Sequence, residues 1–110
     1  EHAGSAYNSS KLGLIGLMRS VAQDGGAFNV TSNAVLPGWV RTEMAERSAR
    51  AEAEATGITA EEVWQQREAL YEPGRVARPL EVAEMIAFLA SEESSGVSGQ
   101  AITVALGGLS

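Results

Sequence analysis

Two residues of this 110-residue chain could do chemistry by their type and spacing. Tyr7-Asn-Ser-Ser-Lys11 sets a phenol and an ammonium four positions apart, which on a helix puts both on one face. A free tyrosine ionises near pH ~10, too high to serve as a base in neutral solution. A cation a few ångströms away favours the phenolate and lowers that value. Bringing it to about 7 takes roughly 4 kcal/mol, at about 1.36 kcal/mol per unit. A tyrosine tuned in this way can give a proton to, or take one from, an alcohol/carbonyl pair. The same spacing also serves an ordinary surface pair, and spacing alone does not choose between them.

Composition sharpens the contrast. Lys11 is the only lysine beside seven arginines, and Asp24 the only aspartate beside thirteen glutamates. Tyrosine occurs only as Tyr7 and Tyr71. There is no cysteine, which excludes disulfides, thiolate catalysis and Cys-based metal sites. A lone histidine, His2, cannot build a zinc site, so no metal is expected. The net charge of −6 argues against nucleic acid, whose phosphates a partner must neutralise. No apolar run approaches the ~20 residues that span a bilayer, and no basic-then-apolar signal segment opens the chain. The expectation is a soluble, cytoplasmic protein with no membrane partner.

The elements that must position Tyr7 and Lys11 can be read from periodicity. From Tyr7 to about Gln23, Leu14, Ile15, Met18, Val21 and Ala22 recur at helical spacing. Leu12 and Leu17 widen that stripe, which predicts a helix buried on more than one side. Gly13 and Gly16 cost roughly 1 kcal/mol each against alanine, a cost that close approach of another backbone would compensate. Residues 29–36 read as a strand, closed by Pro37-Gly38. Residues 43–55 mix Glu, Arg and Ala at helical spacing. Glu43/Arg47, Glu46/Arg50 and Arg50/Glu54 contribute only about 0.2–0.5 kcal/mol each, so this helix is exposed and mobile unless something docks on it. Gly57 stops it, and Thr59-Ala-Glu-Glu62 is a capping box for a helix over about 60–70. Pro79 starts a last helix to about Ser91, with Val82, Met85, Ile86 and Leu89 on its apolar face. Gln100–Val104 is a second short strand.

Strands that each follow a helix, and that read as buried, indicate a parallel α/β sheet. Two strands cannot cover their own edges or stand alone in water. The rest of the sheet must come from further sequence or from another chain.

With these elements in place, the motifs form a recognisable series. Ala6-Tyr7-Asn-Ser-Ser-Lys11, Asn33-Ala-Val-Leu-Pro37-Gly38-Trp-Val-Arg-Thr42, Gly74-Arg75-Val76-Ala-Arg-Pro79, Glu81-Val82-Ala83, Phe88-Leu89-Ala-Ser91 and Ser98-Gly99-Gln100 resemble the short-chain dehydrogenase/reductase family in order and spacing. The resemblance runs along essentially the whole chain. It implies the C-terminal portion of a Rossmann-type doubly wound parallel sheet, with the N-terminal dinucleotide-binding half absent. The parts would be a catalytic helix (1–25), a strand with a nicotinamide-side loop (29–42), a substrate lid (43–72), a last helix (79–91) and a last strand (100–105).

Position by position, the resemblance makes Tyr7 the acid/base and Lys11 the residue that lowers its pKa, with help from the cationic cofactor ring, and bonds the nicotinamide ribose. It lays Pro37, Gly38, Val40 and Thr42 along the nicotinamide, with the Val40 backbone and the Thr42 hydroxyl on the carboxamide. A Pro-Gly turn at a strand's C-terminal end is where open α/β sheets bind ligands. Trp39 and Met44 face the substrate, and Asn33 is structural. The implied reaction is hydride transfer between NAD or NADP and a small-molecule alcohol or ketone. The implied assembly is a dimer or tetramer through the tyrosine helix and through the last helix and strand.

Plainer readings stand beside these. Pro37-Gly38 is a turn found anywhere, Thr42 an N-cap for the next helix, and Trp39, Met44, Trp64 and Tyr71 packing residues. The chain also departs from the family pattern. The glycine-rich phosphate fingerprint, the acid that reads the adenosine ribose and the upstream catalytic asparagine and serine are missing. Val104-Ala-Leu-Gly-Gly108 has one residue added and an acid lost. The alternative function is therefore an inactive fragment, or an assembly module that needs a partner to complete the sheet.

Overall fold

Strand pairing sets the frame. In the computed structural model, which describes residues 2–108 and the side chains of 9–108, β1 is Ala34–Pro37 and β2 is Ala101–Val104. The Ala34 N–H donates to the Gln100 carbonyl (2.9 Å), and the Gly38 N–H to the Val104 carbonyl (3.1 Å). Both partners advance by four residues from one bond to the next, so the strands run parallel. They form a two-stranded sheet among the described residues. The helices are α1 (His2–Gly25), α2 (Glu43–Thr56), α3 (Ala60–Glu68) and α4 (Pro79–Leu89). No described helix is long and apolar enough to cross a membrane. The chain divides into two compact units. One holds the residues up to Val35 with Ala87–Ile102, the other Leu36–Ile86 with the residues from Thr103 on.

In the first unit, α1 runs through Gly13 and Gly16 without a break. Of its described side chains only Met18 is buried. Leu12, Leu14 and Leu17 are exposed, and a methyl group built on Gly13 or Gly16 would meet nothing within 4 Å. The burial predicted for this helix is thus not supplied by the chain itself, because two short strands leave most of its apolar stripe uncovered. The first strand also starts later than residue 29. Asn29 takes a left-handed conformation (φ 62°), and the polar side chains that follow bond elsewhere. The Ser32 hydroxyl donates to the Met18 carbonyl (3.0 Å). Asn33 donates to the Val97 carbonyl (3.0 Å) and accepts from the Gln100 N–H (3.1 Å). The Gln100 N–H is thus taken by a side chain, and so is the Ser32 N–H, which donates to the Ser98 hydroxyl (3.1 Å); regular pairing begins only at Ala34.

The second unit holds the core. Ala45, Ala49 and Ala53 form one stripe along α2, and Val63 and Trp64 of α3, all buried, join them in one cluster. Alanine at every fourth position lets two helices approach closely. Nothing in the i,i+4 charge pattern revealed this, and α3 is what docks on α2. None of the three i,i+4 ion pairs closes among the described residues. Glu46 instead accepts from Arg41 (2.8 Å) and from the Trp64 indole (2.7 Å). Gly57 caps α2 with φ 74°, and Thr59 and Glu62 form the predicted capping box. Tyr71, Val76 and Ala105 complete the cluster, with Leu106 packed against it despite its left-handed φ of 54°.

At the start of α4, Glu81 accepts two bonds from the Arg75 guanidinium (2.9 and 3.0 Å) and one from the Arg78 N–H (2.7 Å). Arg75 first, then the Arg78 amide, hold its carboxyl down at about 2 against an ordinary 4.5. A depressed carboxylate stabilises the fold fully above its unfolded value and loses that contribution as pH falls toward the folded one. Glu81→Gln should therefore flatten the acid limb of a stability–pH curve between about pH 4.5 and 2, as read by urea unfolding followed by circular dichroism. An unchanged slope would contradict the pairing.

Candidate functional site

The turn at residues 37–42 is fixed residue by residue. Gly38 is tied to Val104, as described above. The Trp39 N–H donates to the Tyr71 hydroxyl (2.8 Å), and the Trp39 carbonyl accepts from the Ala77 N–H (3.2 Å). The Thr42 N–H donates to the Val40 carbonyl (2.9 Å), and the Thr42 hydroxyl oxygen accepts from the Ala45 N–H (3.2 Å) as the N-cap of α2. Val40 and Ala77 form a parallel bridge in which the neighbouring Trp39 carbonyl takes the bond. Alternation along extended backbone turns the Val40 N–H away from that partner.

Gly38 is required by its surroundings. A Cβ there would lie 2.6 Å from the Tyr71 hydroxyl and 2.9 Å from the Ala105 Cβ. Tyr71, read from sequence as a packing residue, is thus the buttress of the turn.

Trp39 is held from a second direction. The Arg67 guanidinium lies 3.6 Å from the centroid of its ring and 4.8 Å from that of Trp64. The two indoles meet edge to face at 6.3 Å. Arg67 is 5% exposed and donates to the Ala45 carbonyl, the Ser48 hydroxyl and the Glu52 carboxylate. Outside this cluster, Arg41 bridges Glu46 and Glu61 and packs over the Trp64 ring at 4.7 Å. The Arg41 bond and, less strongly, the Trp64 indole hold the Glu46 carboxyl below the usual range, and the bonds to Glu46 and Glu61 push the Arg41 guanidinium up.

These constraints shape a cavity of about 500 Å³. Six residues singled out from sequence line it: Pro37, Gly38, Trp39, Val40, Thr42 and Met44. Ala45, Ser48, Pro79 and Val82 add to the wall, so no side chain on it carries charge. Tyr7 and Lys11 stand on α1 in the first unit. The side chain of Tyr7 lies outside the described residues, and Lys11 is half-buried. Among the described residues no group of three or more His, Asp or Glu could hold a metal ion.

The comparisons agree along the whole chain. The family model described as enoyl-(acyl carrier protein) reductase matches residues 1–109. The chain belongs to the short-chain dehydrogenase/reductase family. It is 38% identical over 100 residues to a diacetyl reductase [(S)-acetoin forming] of Staphylococcus aureus, covering 91% of this chain and 39% of that protein. A short-chain dehydrogenase family protein from Francisella tularensis superposes with a TM-score of 0.89 at 31% identity, covering 93% of this chain and 42% of that one. An actinorhodin polyketide ketoreductase variant solved with NADPH gives 0.85 at 33%, covering 94% and 40%. The chain therefore spans about 40% of the relatives it matches and forms part of a Rossmann-type fold.

Sequence reasoning missed Arg67, Ser48 and the buttressing role of Tyr71. Trp64 and Arg67 lie at i,i+3 on α3, a spacing that brings them to one face, but Arg67 looked like one of seven surface arginines. Gly38→Ala should cost about 1–3 kcal/mol of stability through overpacking. Adding Tyr71→Phe, which removes the crowding hydroxyl, should recover part of that loss in a double-mutant cycle measured by urea unfolding. Simple addition of the two costs would show that Tyr71 does not set the glycine requirement.

Proposed function

We propose that this chain is the catalytic C-terminal part of an NAD(P)-dependent oxidoreductase that interconverts an alcohol and a ketone. The observation that carries the reading is the single unbroken helix α1, which bears Tyr7 and Lys11 one turn apart. The uncharged cavity at the end of β1 supports it.

The cavity wall suits a flat ring with an amide substituent. Two groups would hold a carboxamide: the Val40 N–H, turned away from Ala77, and the Thr42 hydroxyl, whose oxygen already accepts from Ala45. Pro37 and Gly38 would add apolar surface for the ring. The chemistry supplied by the bound dinucleotide is the hydride. Tyr7 gives its phenolic proton to the oxygen of a ketone as that oxygen gains negative charge, and in the reverse direction takes a proton from the alcohol. The Lys11 ammonium, one turn along α1, would favour the phenolate and bond the ribose. These 110 residues contain no glycine-rich phosphate-binding fingerprint.

The exposed Leu12, Leu14 and Leu17, with open space at Gly13 and Gly16, support α1 as a contact in a dimer or tetramer. The same exposed face favours a second reading, in which the isolated segment is inactive until the sheet is completed.

In the complete domain, Tyr7→Phe should lower kcat for ketone reduction by about 10²–10⁴-fold while leaving dinucleotide binding largely intact. The isolated segment should show no turnover in the same assay. Retained activity in Tyr7→Phe would remove Tyr7 from the chemistry, and turnover by the segment would remove the second reading.

A further inference from the structure

The reductase reading leaves the substrate class open, and the second unit carries evidence on it. The cavity has two hydroxyls on its wall, Thr42 and Ser48, and no ionisable side chain. Both hydroxyl oxygens are already acceptors. Thr42 takes the Ala45 N–H, and Ser48 takes Nη2 of Arg67 at 3.2 Å. A hydroxyl carries one hydrogen and two lone pairs. With a guanidinium donating into its oxygen, Ser48 has its own hydrogen directed elsewhere, and the cation polarises it into a stronger donor.

Arg67 is well placed for this. It is buried, and it touches α2 at three levels: the Ala45 carbonyl, the Ser48 hydroxyl and the Glu52 carboxylate. It also covers one face of the Trp39 ring at 3.6 Å without reaching the cavity wall itself. Trp39 can then offer the cavity only its other face or its edge. Among the described residues the cavity wall therefore presents apolar surface and, with Thr42 given to the carboxamide, one hydroxyl donor. No side chain on it is a cation that could neutralise an acid, and Lys11, given to the tyrosine and the ribose, stands on α1 in the first unit.

We propose, resting on that reductase reading, that Ser48 is a specificity-determining residue primed by Arg67. It donates a hydrogen bond to a second, non-reacting oxygen of the substrate. The substrate class is a neutral, mainly apolar ketone with a second acceptor oxygen close to the reacting carbonyl. Arg67 acts as a positioning residue through Ser48 and Trp39.

The test uses the complete domain with oxidised dinucleotide, NAD⁺ and NADP⁺ in turn, so that no ketone can be reduced. Binding is followed through the fluorescence of Trp39 and Trp64. Three five-carbon ligands are titrated: a vicinal diketone, the matching monoketone and the matching 2-oxo acid. The unmodified protein should prefer the diketone to both others. Ser48→Ala should cut its preference over the monoketone by about fivefold to tenfold, the worth of one hydrogen bond. Ser48→Thr should keep it. A preference unchanged in Ser48→Ala, or lost in Ser48→Thr as well, overturns the donor role. A 2-oxo acid that binds as well as the diketone, or no binding by any of the three, overturns the substrate class. A parallel assay with reduced dinucleotide keeps the outcomes apart, since binding without turnover would count against the reductase reading and leave the Ser48 result standing.

Discussion

The hydrogen bond from the Trp39 amide to the Tyr71 hydroxyl governs how the second unit is built. It fixes the chain where β1 ends, and it places an oxygen where a side chain on Gly38 would have to go. Glycine at that position therefore follows from a contact thirty-three residues away in sequence, between Gly38 and Tyr71. Once the turn is pinned there, Val40 meets Ala77 and Thr42 can cap α2. Both the cavity wall and α2 start from that geometry.

The α2–α3 pair runs against its charge pattern. A helix of Glu, Arg and Ala has little to bury, and surface ion pairs contribute little. What stabilises α2 is the alanine stripe facing α3, together with one buried arginine whose donors are satisfied by a carbonyl, a hydroxyl and a carboxylate. A buried guanidinium is costly unless it is paired and bonded. Stacked on Trp39 and near Trp64, Arg67 has both conditions met, and it ties α2 to the same turn that Tyr71 holds.

Much of this was legible in the residues, and the parts that were not share a cause. The capping box at Thr59–Glu62, the stop at Gly57, the start at Pro79 and the second strand are local signals, and they appear where local chemistry puts them. Pro37, Gly38, Val40 and Thr42, which the motif points to, line one cavity with Trp39 and Met44. Contacts distant in sequence were not legible. Nothing near Arg67 announces that it stacks on Trp39, and nothing near Tyr71 announces Gly38. The burial expected for α1 failed for a different reason. Its apolar stripe is real, but covering it takes more protein than these residues supply, and the chain spans only about 40% of its relatives.

The central claim is that the pinned turn is the seat for a nicotinamide served by Tyr7 and Lys11. The most direct measurement is a crystal structure of the complete domain with bound oxidised dinucleotide. The account predicts the carboxamide oxygen within hydrogen-bond reach of the Val40 N–H and the Thr42 hydroxyl, with the Tyr7 hydroxyl and the Lys11 ammonium on the ribose side of the same ring. A nicotinamide lying away from residues 37–42, or a Tyr7 hydroxyl directed away from it, would contradict the account.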